Sequence, residues 1–200
     1  MQSAVKRAAD IVVAALLLLL LSPLLAAIAV LVRLSSRGPI FYRWRVVGRD
    51  GRYFTGYKFR TMVEDADRLK EELLPRNEMR GHAFKMKHDP RVTRIGRPLR
   101  RSSLDELPQL WSVLKGDMSL VGPRPALQVD YERFNAWQKR RVLVKPGITC
   151  IWQVSGRNHI SDFDDWVRLD LEYIRNWSLW LDMTILLRTA LVVISGRGAS

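Results

Sequence analysis

Ile11-Val12-Val13-Ala14-Ala15-Leu16-Leu17-Leu18-Leu19-Leu20-Leu21-Ser22-Pro23-Leu24-Leu25-Ala26-Ala27-Ile28-Ala29-Val30-Leu31-Val32 carries no charge. At roughly 22 residues it is long enough to cross a bilayer as one helix. Ser22-Pro23 lies at its centre, and a proline inside a helix deletes a backbone donor and clashes with the preceding turn. Each half is then roughly 13 to 16 Å long, about half of a hydrocarbon core. Lys6 and Arg7 precede the run, and Arg33, Arg37, Arg43 and Arg45 follow it. A secretory leader would use Lys6 and Arg7 as its basic end and Ala27-Ile28-Ala29 for cleavage, but the basic cluster beyond resists translocation. A single spanning helix leaves cations on both flanks, which the positive-inside rule places on one side of the membrane. A re-entrant helix-break-helix hairpin resolves that conflict, with Ser22 satisfying a carbonyl freed at the break. The expected division is a membrane segment over 1–36 and a cytosolic-face globular unit over 37–200.

The remaining chain is strongly basic. Among 200 residues, 33 Lys and Arg oppose 20 Asp and Glu for a net charge of +13. Such an excess implies an anionic partner: nucleic acid, anionic lipid or a phosphorylated small molecule. The single cysteine, Cys150, has no internal disulfide partner, and the three histidines, His82, His88 and His159, have no zinc-ligand spacing. No P-loop or dinucleotide fingerprint occurs.

The expected architecture is α/β. Pro39 to Val47 and Tyr53 to Thr61 read as strands, joined by a Gly48-Arg49-Asp50-Gly51 turn. Val63 to Leu74 reads as a helix ended by Pro75, and Arg76 to Asp89 as a loop. Leu104 to Leu114 is expected to form a short helix with Leu107, Leu110, Trp111 and Leu114 on one stripe. Further helices are expected over Asp130 to Leu143 and Phe163 to Asn176. Leu179 to Ile194, bearing Asp182 and Arg188, suits an amphipathic helix lying in the membrane interface or packed on the core. Trp177 and Trp180 at its start fit either setting.

Within this basic chain, Leu104-Asp105-Glu106-Leu107-Pro108 sets two carboxylates side by side. A carboxylate can attack phosphorus and carry an acyl phosphate, with cations and a divalent metal offsetting the charge of a diphosphate. Ser103-Leu104-Asp105-Glu106 also fits a capping box with Ser103 as N-cap. Pro108 favours Asp105 as N-cap instead. In either register the acids sit at a helix N-terminus, whose dipole favours their ionised forms. Phosphate-binding candidates surround them. Arg124 lies between two prolines in Val121-Gly122-Pro123-Arg124-Pro125, on stiff extended backbone. Tyr57-Lys58-Phe59-Arg60-Thr61 alternates cations with aromatics, which puts Lys58 and Arg60 on one strand face. Arg97, Arg100 and Arg101 lead into the acids. Pro146-Gly147 signals a type II turn, and Ser155-Gly156-Arg157 closes a loop with a cation.

Together these segments resemble the bacterial sugar transferases, monotopic polyprenyl-phosphate phosphoglycosyl transferases that begin surface-glycan assembly. The resemblance runs from about Lys6 to the C-terminus. It rests on the basic pair and Asp10 before the broken helix, Gly38-Pro39-Ile40-Phe41, Tyr57-Lys58-Phe59-Arg60-Thr61-Met62, Asp89-Pro90-Arg91-Val92-Thr93, Ser103-Leu104-Asp105-Glu106-Leu107-Pro108-Gln109-Leu110, Met118-Ser119-Leu120-Val121-Gly122-Pro123-Arg124-Pro125, Lys145-Pro146-Gly147-Ile148-Thr149 and Trp152-Gln153-Val154-Ser155-Gly156-Arg157.

The resemblance implies a UDP-sugar donor, a polyprenyl (undecaprenyl) phosphate acceptor, Mg²⁺, and residence on the cytoplasmic face of the bacterial inner membrane, with a homo-oligomer possible. It implies that Asp105 attacks the sugar-bearing phosphate and expels UMP, with Glu106 as acid/base or metal-side partner. Asp105 and Glu106 are the metal candidates, and Lys58, Arg60, Arg101, Gln109, Arg124 and Arg157 the substrate-binding ones. Two departures stand out: Cys150 where the family usually has glycine, and Arg43-Trp44 in place of a glutamine-containing sequence. The ending Gly196-Arg197-Gly198-Ala199-Ser200 is similar to the longer exopolysaccharide-type members, so the chain is either a minimal enzyme or the catalytic part of a longer one. That branch implies a hexose rather than an acetamido sugar. The rival reading is a non-catalytic, membrane-anchored basic module holding nucleic acid or anionic lipid; adjacent acids inside the basic region would weaken polyanion binding, so no nucleic-acid partner is expected.

Overall fold

The computed structural model describes residues 2–155 and 160–195. Helix α1 (Gln2–Leu20) is followed after one residue by α2 (Ser22–Ser35), and the two are bent by 63° at the break. No single described helix is long and apolar enough to cross a membrane. The break expected at Ser22-Pro23 is present, as an elbow between the two helices. Pro23 sits in the first turn of α2, where its missing N–H is harmless. The Leu21 and Leu25 amides still bond back to Leu17 and Leu21 at 2.9 and 2.8 Å, on either side of the interruption at Pro23. Ser22 donates its hydroxyl to the Leu19 carbonyl at 2.8 Å, satisfying the acceptor that the missing Pro23 N–H leaves free.

Each arm of the elbow packs one face on the rest of the chain. From α1, Ala14 joins a core with Leu110, Val113, Met118, Leu120, Val121, Tyr173 and Ile185; from α2, Ile28 and Val32 join Phe59 and Leu99. The opposite faces stay exposed, Leu19 and Leu20 at the apex by 71% and 72%. Charged residues pin both outer ends. Arg7 donates to the Val113 and Leu114 carbonyls at 2.6 and 2.9 Å, Asp10 accepts the Leu120 amide, and Lys6 pairs with Asp182 at 2.5 Å. At the other end Arg60 donates to the carbonyls of Ser36 and Arg37. Segments 1–36 and 37–200 thus share two of the three apolar clusters among the described residues.

Strands β1 (Phe41–Val47) and β2 (Tyr53–Phe59) form the expected hairpin, with Asp50 and Gly51 at positive φ in its turn. Helices α3 (Ala66–Leu73) and α4 (Gly96–Arg101) follow; α3 starts later than expected and ends just before Pro75, which lies in a 3-10 turn, Leu74–Arg76. The loop after it is organised by Asn77, whose side chain bonds the backbone of Met79, Ala83 and Lys85.

The acidic pair lies on a 3-10 helix, Leu104–Gln109, continued by α5 (Leu110–Lys115). Of the apolar stripe expected there, Leu107, Leu110 and Leu114 pack on one cluster together with Val113, whereas Trp111 is exposed. Strand β3 (Ser119–Val121) pairs in parallel with β5 (Gly147–Thr149), and β4 (Ala126–Leu127) extends the hairpin in the order β2-β1-β4. Gly147 does not adopt the positive φ of a type II turn. It is needed for contact, since a Cβ there would meet the Gly122 amide nitrogen at 2.1 Å.

The helix expected over 130–143 is three pieces: α6 (Gln128–Tyr131), α7 (Ala136–Lys139) and the 3-10 turn Arg140–Leu143. Asn135 restarts it through a capping box with Gln138. After α8 (Ile151–Val154), α9 (Phe163–Arg175) and α10 (Leu179–Ser195) match expectation. Asp182 of α10 is buried, held by Lys6, Tyr173 and Trp177, while Trp180, Met183, Leu187 and Leu191 face outward. The two tryptophans at its start thus divide, Trp177 inward and Trp180 outward. The observed mix of helices and small sheets agrees with the α/β class.

Candidate active site

Pro108 shapes the site locally. Its missing N–H breaks the i→i−4 ladder, so Leu104–Gln109 takes the tighter 3-10 form. Ser103 precedes it at φ 56, a left-handed conformation that its side chain does not offset with a cap bond. Neither capping register is realised. Glu106 reaches cations rather than its own N-terminus, and Asp105 sits within the helix. With only a short 3-10 segment before Pro108, the expected dipole does not keep Asp105 in the ordinary carboxylate range, and burial controls it.

Glu106 is the hub. Lys58 Nζ on β2 lies 2.7 Å from its Oε1, and the Arg124 guanidinium approaches as a fork, at 2.6 Å to Oε1 and 3.3 Å to Oε2. Asp105 is equally buried, and none of the described side chains donates a hydrogen bond to it. Burial pushes its pKa up to about 6; Lys58, Arg100 and Arg124 pull down while Glu106 pushes further up. Burial also lowers the Lys58 pKa against the pull of Glu106. The Arg124 guanidinium, which burial alone would pull down, is held above its ordinary value by charge and hydrogen bonding from Glu106. One carboxylate is therefore saturated by two cations, and its neighbour is available at the same cluster.

Lys58, Asp105, Glu106 and Arg124 come together as expected. Arg60 does not join them, because β2 ends at Phe59 and its guanidinium is spent on the Ser36 and Arg37 carbonyls. Arg101 is exposed on α4; of the arginines leading into the acids, the one whose charge bears on Asp105 is Arg100. Gln109 is buried on the same 3-10 helix as the acids, and Arg157 lies outside the described residues. Trp44, one of the departures noted above, borders the site: Lys58 Nζ is 5.0 Å from its ring centroid, and Gly56 makes room for it. Cys150 adopts extended backbone, φ −147, which any residue tolerates, so the absent glycine does not disturb that loop.

No group of three or more His, Cys, Asp or Glu among the described residues could cage a metal. The donor set fits Mg²⁺ only in its substrate-borne form, in which one or two carboxylates and phosphate oxygens hold it. Asp105 is the carboxylate placed for that, whereas Glu106 has both oxygens on cations.

A second ionic site lies behind Arg124. Arg141, on the turn Arg140–Leu143, bonds both Asp170 of α9 and the Arg124 carbonyl, the latter at 3.1 Å. Burial raises the Asp170 pKa to about 6 against the pull of Arg141. No sequence spacing joins these residues.

The model of the bacterial sugar transferase family matches residues 1–196. A galactosyl transferase, CpsE, of Streptococcus agalactiae is 54% identical over 162 residues, covering 81% of this chain and 36% of the relative. The undecaprenyl-phosphate galactose phosphotransferase of Salmonella typhimurium is 45% identical over 199 residues, covering 98% and 41%. The exopolysaccharide production protein ExoY of Sinorhizobium fredii is 40% identical over 198 residues, covering 97% and 87%. The chain thus spans less than half the length of the first two and most of the third.

Proposed function

The chain belongs to the bacterial sugar transferase family, and from that premise we propose that it transfers a hexose 1-phosphate from a UDP-sugar to polyprenyl phosphate, releasing UMP. The product would initiate exopolysaccharide or O-antigen assembly. The observation that carries this reading is the unequal pair: Glu106 gathers Lys58 and Arg124, and Asp105 stands beside them without a hydrogen-bonding side chain among the described residues.

In this reading an Asp105 oxygen attacks the phosphorus that bears the sugar. The bond from that phosphorus to the bridging oxygen breaks, and UMP leaves with the electron pair. A phosphate oxygen of the acceptor then attacks the same phosphorus, the bond to Asp105 breaks, and polyprenyl diphosphosugar departs. Arg124 and Lys58 turn toward the phosphates as charge develops on their oxygens, while Glu106 keeps the two cations together between turnovers. Bound Mg²⁺ would supply charge neutralisation at the diphosphate, with Asp105 as its protein-side candidate.

The sign of the pH dependence follows from Asp105. It must be ionised to attack, and its pKa is raised to about 6. Donor kcat/KM should rise about tenfold per pH unit below that value and level off above neutrality, the apparent midpoint belonging to the coupled acidic pair. A profile flat between pH 5 and 8 would contradict an Asp105 nucleophile. Release of UMP from a panel of UDP-sugars with polyprenyl phosphate tests the reaction itself: a hexose donor should react, and silence across the panel would refute the proposal.

The membrane reading is a monotopic elbow on the cytoplasmic face. Both outer ends of α1 and α2 are pinned to one globular unit, Lys6, Arg7 and Asp10 at one end and Ser36 and Arg37 at the other. A spanning helix would have to break one set. Exposed Leu19, Leu20, Leu31, Leu187 and Trp180 supply apolar surface for one leaflet. Cysteines introduced near residue 3 and at Arg37 should both label from the cytoplasm; periplasmic labelling of the first alone would rule the elbow out as a re-entrant element.

A further inference from the structure

Arg141 and Asp170 are 4% and 1% exposed. A buried ion pair is a costly way to join two elements, because desolvation consumes much of the Coulombic gain and a well-packed apolar pair holds them as firmly. The second hydrogen bond of Arg141 points to what the pair accomplishes beyond stability. The Pro123-Arg124-Pro125 turn is fixed on its near side by the parallel strands, through the Gly122 amide to the Thr149 carbonyl at 3.1 Å and the Gly147 amide to the Pro123 carbonyl at 2.9 Å. The two prolines offer no amide hydrogens. The Arg124 carbonyl is instead gripped by a side chain, Arg141 Nη2, which Asp170 holds from the far side.

On the front of the same residue, the Arg124 guanidinium contacts Glu106 with both terminal nitrogens, a geometry that depends on where its backbone sits. From this back-to-front connection we propose that Arg141 and Asp170 are positioning residues, aiming the Arg124 guanidinium at the phosphate transferred from Asp105. The role rests on the phosphotransfer reading above. Trp152 packs in the same region, its ring 6.0 Å from the Arg124 guanidinium carbon and stacked on Trp166 at 4.2 Å, so the turn has a rigid wall to be held against.

The double variant Arg141→Met/Asp170→Leu replaces the pair by apolar side chains and removes the grip on the Arg124 carbonyl. It should fold, with a thermal midpoint at or near that of the wild type, while kcat for UMP release per folded molecule falls about 10- to 100-fold, the scale set by a misplacement of about 1 Å. Should that variant not fold, Arg141→Lys keeps the charge opposite Asp170 but lacks the guanidinium fork, and the same fall in kcat is expected of its folded fraction. Wild-type kcat in a folded variant overturns the positioning role and leaves the transferase reading intact. No UMP release by the wild-type chain overturns both.

Discussion

Asp105→Asn is expected to lose turnover by about 10⁴-fold or more, because the amide keeps the shape of the side chain but cannot form an acyl phosphate. The same substitution should raise the thermal midpoint near pH 8. The sign follows from the raised pKa: between the unfolded value and about 6 the folded state binds more protons than the unfolded one, so stability declines as pH rises across that window. Above it the buried charge is a standing cost, on the order of 1–3 kcal/mol, which asparagine removes. A variant that is inactive and less stable than the wild type at pH 8 would contradict this account, since the loss could then be one of folding. The expected pairing of lost activity with gained stability marks a group retained for chemistry at the expense of the fold.

Glu106→Gln should act on stability with the opposite sign. Glu106 is the shared partner of Lys58 and Arg124, both largely buried, and its neutral isostere leaves two cations facing each other without their hydrogen-bonded counter-charge, Asp105 acting on them only through space. Breaking a buried pair by removing one partner costs about 3–5 kcal/mol, so the midpoint should drop by several degrees. Turnover should also fall, by about 10²-fold or more, because the cations that meet the phosphates lose their common anchor. Thermal melts of the two single variants side by side decide the matter. If adjacent carboxylates Asp105 and Glu106 shift the midpoint in the same direction, the division of labour between them is wrong.

Local signals made much of this molecule legible. The Gly48-Arg49-Asp50-Gly51 turn between aromatic-rich segments fixed a hairpin, and Pro23 within an uncharged run marked the bend, though not its angle, which depends on how Ala14, Ile28 and Val32 pack against distant elements. Lys58, Arg124 and the two acids could be grouped because their backbone settings are local. Arg60 could not be separated from Lys58 by strand alternation alone: what diverts it is the end of β2 and the carbonyls of Ser36 and Arg37. The same limit explains Arg100 and Arg101, neighbours on a short helix whose facing is set by tertiary contact.

The dipole argument for Asp105 failed for a different reason. It assumed a regular helix and weighed only its end, whereas a 3-10 segment supplies little dipole and burial dominates. The Asn135 to Gln138 capping box was readable from spacing and would have divided the helix expected over 130–143. Arg141 with Asp170 and Lys6 with Asp182 had no such signal, since each pair joins positions far apart in the chain.

The most direct test of the central claim is intact-protein mass spectrometry after exposure to UDP-sugar and Mg²⁺ without acceptor, with the modified peptide mapped. The account predicts a mass increase of one phosphosugar on Asp105, absent from Asp105→Asn and discharged by adding polyprenyl phosphate. An adduct on another residue, or full turnover with no adduct at any time, would contradict it.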